Sequence, residues 1–188
     1  MALVDKNIES ADWISGAEEV LADVFASSLA SYTPNPSSPL TVGLYGGEFG
    51  AEDVYERLEA LVQRGPTALL EFAGDEDTDR DTEDDTISIQ AEWGLYIAAR
   101  NLRSESEQRR DAYPFVVGAK RLLRQSDTMV YSGSLGGEEW TAMIQKCLPM
   151  RSDIITSIPG YVCVQVMFRT PVVLHWGSRL TSIEIQNA

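Results

Sequence analysis

The clearest pattern in the chain is a strict alternation in which Ile87, Ile89, Ala91, Trp93, Leu95, Ile97 and Ala99 are interleaved with Ser88, Gln90, Glu92, Gly94, Tyr96, Ala98 and Arg100. Period two over that length predicts a strand with one buried face, which fixes its register. At about 3.3 Å per residue it runs more than about 40 Å, so either Gly94 marks a bulge or part of the strand projects beyond the domain. A second alternation, Val162, Val164, Val166 and Phe168, resumes after Pro171 with Val172, Leu174 and Trp176, and is expected to pair with the first.

Helical spacing appears three times. Trp13, Ala17, Val20, Leu21, Val24, Phe25 and Leu29 form one apolar face, with Ser10 or the Ser15/Glu18 capping box as candidate starts. Val54, Leu58, Leu61 and Val62 form a second helix ending near Arg64, where Gly65 and Pro66 supply the stop. A third is capped by Ser104 and runs through Val116, Val117, Ala119, Leu122 and Leu123. Pro114 is expected to kink it or divide it into two pieces. Residues 40–45 and 67–73 read as short strands, and 133–137 as a glycine-rich turn. Prolines 34, 36 and 39 predict a loop over residues 32–39.

Helices and strands mix without βαβ spacing. The expected fold is therefore α+β: one domain spanning residues 1–188, with a mixed, mostly antiparallel sheet of about four to five strands flanked by helices. A chain of 188 residues that is 44% hydrophobic is long enough to bury one such core.

Charge changes the picture next. The chain carries 15 basic and 29 acidic residues, a formal charge of −14, which repels nucleic-acid phosphates and anionic membranes. The first ten residues lack a basic, then apolar, signal segment, which predicts no Sec export. No apolar run approaches the roughly 20 residues that span a bilayer. Cys147 and Cys163 are too few for a disulfide framework and read as buried free thiols.

Candidate chemistry is sparse. Eight carboxylates crowd residues 75–85, and with no apolar residue among them the stretch, within an acidic loop near 74–86, reads as solvated. Asp75, Asp77, Asp79, Asp81 and Glu83 stand at calcium-loop spacing, but Arg80 replaces the required glycine and Thr86 the bidentate Glu. They are weak metal candidates, and no metal or cofactor is expected. The turn from Gly43 to Gly50 precedes a helix as a phosphate loop would. Its glycines match neither dinucleotide nor P-loop spacing, and Glu48, Glu52 and Asp53 repel an anion. A small-ligand or nucleotide-binding enzyme built on that turn is the alternative from another class. The single histidine, His175, has no triad or metal motif near it and reads as structural.

The basic residues concentrate instead. Arg100, Arg103, Arg109, Arg110, Lys120, Arg121 and Arg124 lie within one 25-residue stretch against Glu105, Glu107 and Asp111. The ordinary reading is a solvated helix with internal ion pairs. The functional one is a subunit interface in which these residues and Asn101 meet the acid run, Asp75, Asp77, Asp79 and Asp81, of a neighbouring copy; such head-to-tail contacts close into rings.

The same stretch carries a resemblance. The segment Tyr96-Ile97-Ala98-Ala99-Arg100-Asn101-Leu102-Arg103, then Arg109-Arg110, then a helix ending Lys120-Arg121-Leu122-Leu123, resembles the small tail proteins of Mu-like bacteriophages, a family that includes the tail terminator. The resemblance is strongest over residues 86–123. It implies a non-enzymatic α+β virion subunit that forms a hexameric ring at the head-proximal end of the tail tube. It further implies contacts with the tube protein, the sheath where the tail contracts, and a neck or connector protein, with DNA passing through the lumen unbound. Another head–tail connector or tail-completion protein is the alternative within that class.

Overall fold

The structure is a computed structural model that describes residues 4–7, 12–32, 40–46, 54–63, 65–81, 86–100, 105–158 and 160–177. Eight strands form one sheet: β1 (Val4–Asn7), β2 (Thr41–Leu44), β3 (Thr67–Asp81), β4 (Thr86–Arg100), β5 (Met129–Leu135), β6 (Glu138–Ile144), β7 (Leu148–Ile158) and β8 (Tyr161–Trp176). The helices are α1 (Trp13–Leu29), α2 (Val54–Val62) and α3 (Glu105–Gln125), and a 3-10 turn at Ala30–Tyr32 follows α1. The α+β class agrees with the sequence reading, and the strand count is higher than the four to five expected.

The order is β1-β5-β6-β8-β4-β3-β2, with β7 also against β8. Only β1–β5 and β2–β3 are parallel. The two alternating segments are the central pair, with Thr86 to Arg100 antiparallel to His175 to Tyr161 without interruption. β6 and β7 run end to end along the other edge of β8, Ile144 opposite Val172 and Leu148 opposite Arg169. Pro171 sits where one gives way to the other. Its carbonyl accepts from Gln145 N–H at 2.8 Å, so its missing N–H faces that same junction instead of the β4 ladder, and a proline is tolerated mid-strand.

α1 and α3 cover one face of the sheet. Ile89, Ala91, Trp93, Leu95 and Ile97 point there with Val162, Val164, Val166, Phe168 and Leu174, and all are buried. Trp13, Phe72, Trp93, Phe168 and Phe25 form a chain of ring contacts 5.2–6.5 Å apart that begins and ends on α1. α1 is capped by neither expected serine: Asp12 accepts from Ser15 N–H at 2.7 Å, and Ser10 lies outside the described residues. On the opposite face a smaller cluster of Val62, Leu69, Tyr96, Ala98, Tyr161 and Cys163 packs with Leu61 and Tyr45.

Four local expectations change. Residues 75–81 are not loop but the outer half of β3, paired to residues 86–91 of β4. Backbone pairing with β4 orders this half without apolar side chains of its own. Gly94 is not a bulge; the register shifts fall on β3, between Phe72 and Gly74 and between Asp77 and Asp79. α3 continues through Pro114 as one helix of 21 residues, with Ala112, Phe115, Val116, Ala119 and Leu123 buried on both sides of the proline. Finally, β5 and β6 form a hairpin around Gly136 and Gly137, whose φ values of 64° and 91° suit the two-residue turn that matches strand twist. Of the proline loop expected over 32–39, Tyr32 closes the 3-10 turn and the rest lies outside the described residues.

Candidate interaction surface

The acid run becomes an edge. β3 is fifteen residues long and β2 pairs only with its first four, Thr67 to Leu70. Among the described residues no strand pairs with the outer edge of β3 beyond that point. Asp75, Glu76 and Asp77 are exposed along it, which is how natural sheets discourage indiscriminate edge pairing. Asp75 lies opposite Ala91 and Asp77 opposite Ile89, both core-facing, so these two carboxylates project on the helix-covered face. Glu76, opposite Gln90, projects on the other. The calcium-loop spacing assumed a folded-back loop; extended backbone instead strings Asp75 and Asp77 about 7 Å apart along one face and does not wrap them around an ion. The side chains of Asp79 and Asp81, and Glu83 altogether, lie outside the described residues. No group of three or more metal-ligating side chains gathers among those described.

The second open edge is β7. β5 covers the outer edge of β6, but among the described residues nothing covers that of β7. Four of its residues, Leu148, Met150, Ile154 and Ile155, are among the large exposed hydrophobics, 43–53% accessible. Its register shifts, between Pro149 and Arg151 and between Ile154 and Thr156, leave Met150 and Ile155 without a partner residue on β8. The sequence reading passed over this strand because its apolar positions follow neither period. Its apolar character together with Pro149 was the available signal.

The basic residues are only partly gathered. Lys120 donates to the Ser152 hydroxyl at 2.8 Å, tying α3 to β7. Arg121 donates to Gln125 at 3.3 Å, and Arg124 is exposed. Arg121, Gln125 and Leu122 join Ser27, Ser28, Ser31 and Tyr32 in lining an open groove of about 410 Å³ between α1 and α3. Two of its serines donate to helix carbonyls, Ser27 to Asp23 and Ser31 to Ser28. Arg100 stands apart at the end of β4, its guanidinium 5.8 Å from the Tyr161 ring. Asn101 and Arg103 lie outside the described residues, as do the side chains of Arg109 and Arg110. Among the described residues no ion pair joins α3 to the β3 edge within the chain.

The remaining candidates have structural partners. Gly43 is within β2, while Gly47 and Gly50 lie outside the described residues. His175 Nδ1 lies 3.3 Å from the Thr86 hydroxyl across the central pair. Tyr96 donates to Glu71 at 2.6 Å, accepts from Gln165 at 2.8 Å and stacks on Tyr45. Burial, then the Glu71 carboxylate, raises its phenol well above the ordinary range. Gly94 makes this cluster fit, because a Cβ there would meet Gln165 Nε2 at 3.0 Å. Cys147 and Cys163 are buried free thiols. No described helix is long and apolar enough to cross a membrane.

A single mixed sheet with α1 and α3 on one face, α2 on the other and, among the described residues, two strand edges open on opposite flanks defines a protein that presents surfaces for contact. The chain belongs to the family described as Bacteriophage Mu, Gp37, whose profile matches residues 35–151. That span runs from the segment before β2 to the start of β7 and contains the stretch on which the phage resemblance was first read. No curated protein matches the chain.

Proposed function

We propose that this protein is a non-enzymatic structural component of the phage particle: a tail terminator that closes as a hexameric ring on the head-proximal end of the tail tube, stops its polymerisation and joins tail to neck. Membership in the Mu Gp37 family is the observation that carries the reading. The two open edges on opposite flanks support it, since a head-to-tail contact between unlike surfaces is what closes a ring. Its partners are then further copies of itself, the tube protein, sheath where the tail contracts, and a neck protein. It resides in the virion after assembly in the host cytoplasm. A subunit of formal charge −14 suits a channel through which DNA passes without sticking.

The test is electron microscopy of particles made without the protein. The expected result is free heads beside tails of uncontrolled, mostly excessive length. Tails of normal length that fail to join heads would assign it to a connector or completion role. Normal infectious particles would remove it from assembly altogether.

A further inference from the structure

The open edges of β3 and β7 match in ways that one chain does not use. Eleven residues of β3 lie beyond those paired with β2, and β7 is eleven residues long. The facing chemistry is complementary on the helix-covered face. Ser152 and Ile154 lie opposite Val166 and Val164, so they project on the helix-covered face, where Lys120 reaches Ser152. Asp75 and Asp77 project on that same face of β3. On the other face β7 presents Arg151, 71% accessible but paired with Asp153 at 3.0 Å, and β3 presents Glu76, so the charge match rests on the helix-covered face. If the sheet continued from one copy to the next, the faces would be preserved. Lys120 would then meet Asp75 and Asp77.

From this we infer that the β7 edge of one copy, with Lys120 above it, pairs with the outer edge of β3 of a second copy. The contact satisfies two rows of backbone groups that no described strand pairs with, and withdraws Leu148, Met150, Ile154 and Ile155 from water. It is heterologous, β7 to β3, and so leaves each copy with one edge still open for the next. The two edges lie at opposite ends of the strands, so neighbouring copies are staggered by roughly half a strand. Tilted strands in a closed sheet require a stagger of this kind. The surface rests on the ring reading above and specifies its contact.

Cross-linking between two single variants tests it. One preparation carries Ile154→Cys, the other Asp77→Cys, and the native thiols are buried. After mixing, a short bis-maleimide is expected to join the two variants to each other, with neither joined to itself, while parent protein gives no product. In parallel, Lys120→Glu is expected to raise the dissociation constant of self-association about tenfold, and adding Asp75→Lys with Asp77→Lys to the same chain is expected to restore it. That rescue separates the contact from a loss of folding, since Lys120 also holds Ser152. Links within one variant, or none while the protein sediments as an oligomer, would overturn the edge pairing and leave the tail role standing. A chain that stays monomeric at every concentration tried would overturn the contact. The tail role is judged separately, by the particles made without the protein.

Discussion

Trp93 donates its indole N–H to the Thr170 hydroxyl at 2.7 Å, in a part of the core where both residues are fully buried. The two stand on adjacent central strands, one of them next to the proline at which β7 gives way to β6. The bond therefore joins the middle of the aromatic chain to the sheet's least regular point.

Removing the acceptor leaves a buried donor with no water to replace it, at a cost of roughly 1–3 kcal/mol. Thr170→Val keeps the shape and loses the oxygen, so its urea midpoint is expected to fall by that equivalent with unchanged slope. Thr170→Ser keeps the oxygen and loses a methyl group, which is worth about 1 kcal/mol. A valine variant as stable as the parent would show that the bond contributes nothing net.

Two helix glycines test packing against propensity. Alanine in place of a helix glycine ordinarily stabilises by about 1 kcal/mol. At Gly16, however, a Cβ would lie 2.7 Å from the Tyr131 ring. That ring is fully buried, and its hydroxyl is held by the Trp13 carbonyl at 2.8 Å. Overpacking of about 1–3 kcal/mol outweighs the propensity gain, and Gly16→Ala is expected to destabilise. At Gly118 the closest obstacle is the half-buried Tyr32, which can give way, with the buried Leu29 next at 3.1 Å, so Gly118→Ala is expected to cost less. Thermal melts of the two variants would reveal the order.

The first turns of α3 hold Arg109 and Arg110 in the most basic stretch of an acidic chain. Arg109→Glu with Arg110→Glu is expected to weaken self-association at low salt, and the difference from the parent should shrink toward 0.5 M salt as exposed charges are screened. Sedimentation at two ionic strengths measures both effects. Unchanged assembly would take these arginines out of the interface and leave the Lys120 contact to stand alone.

The central pair was legible in the sequence because the core face is apolar from Ile87 to Ala99 and from Val162 to Phe168, with Thr170 breaking the run only beyond that, so period two survives over both spans. β6 was not, because Thr141 and Met143 are buried alongside Trp140, Ala142 and Ile144, and burial on both faces erases alternation. The acid half of β3 was misread for a related reason. Its order comes from β4, a neighbour distant in character, and not from its own side chains. The basic and acidic groups of the candidate surface were visible as composition. Which of them share a face was not, since that depends on register, and the β7 edge that they flank carried no periodic signal.

Burial also sets the behaviour of the two thiols. It pushes Cys163 up to about 12 and Cys147 up to about 11, the latter partly offset by the Ser126 hydroxyl. An unfolded thiol ionises near 8.5. The folded chain therefore holds these protons more tightly than the unfolded chain. The corresponding stability is complete below about pH 8.5 and is lost as pH rises from there toward the folded values. Between pH 8 and 9.5, before most tyrosine ionises, the loss is roughly 1 kcal/mol per thiol. Urea unfolding at the two pH values should show it, and the Cys147→Ala, Cys163→Ala double variant should show a flatter dependence whatever its absolute stability. The same burial predicts that a thiol reagent at pH 8 labels neither cysteine until denaturant is added. Rapid labelling of the native protein would mean that the structure around one of these thiols opens far more readily than its packing implies.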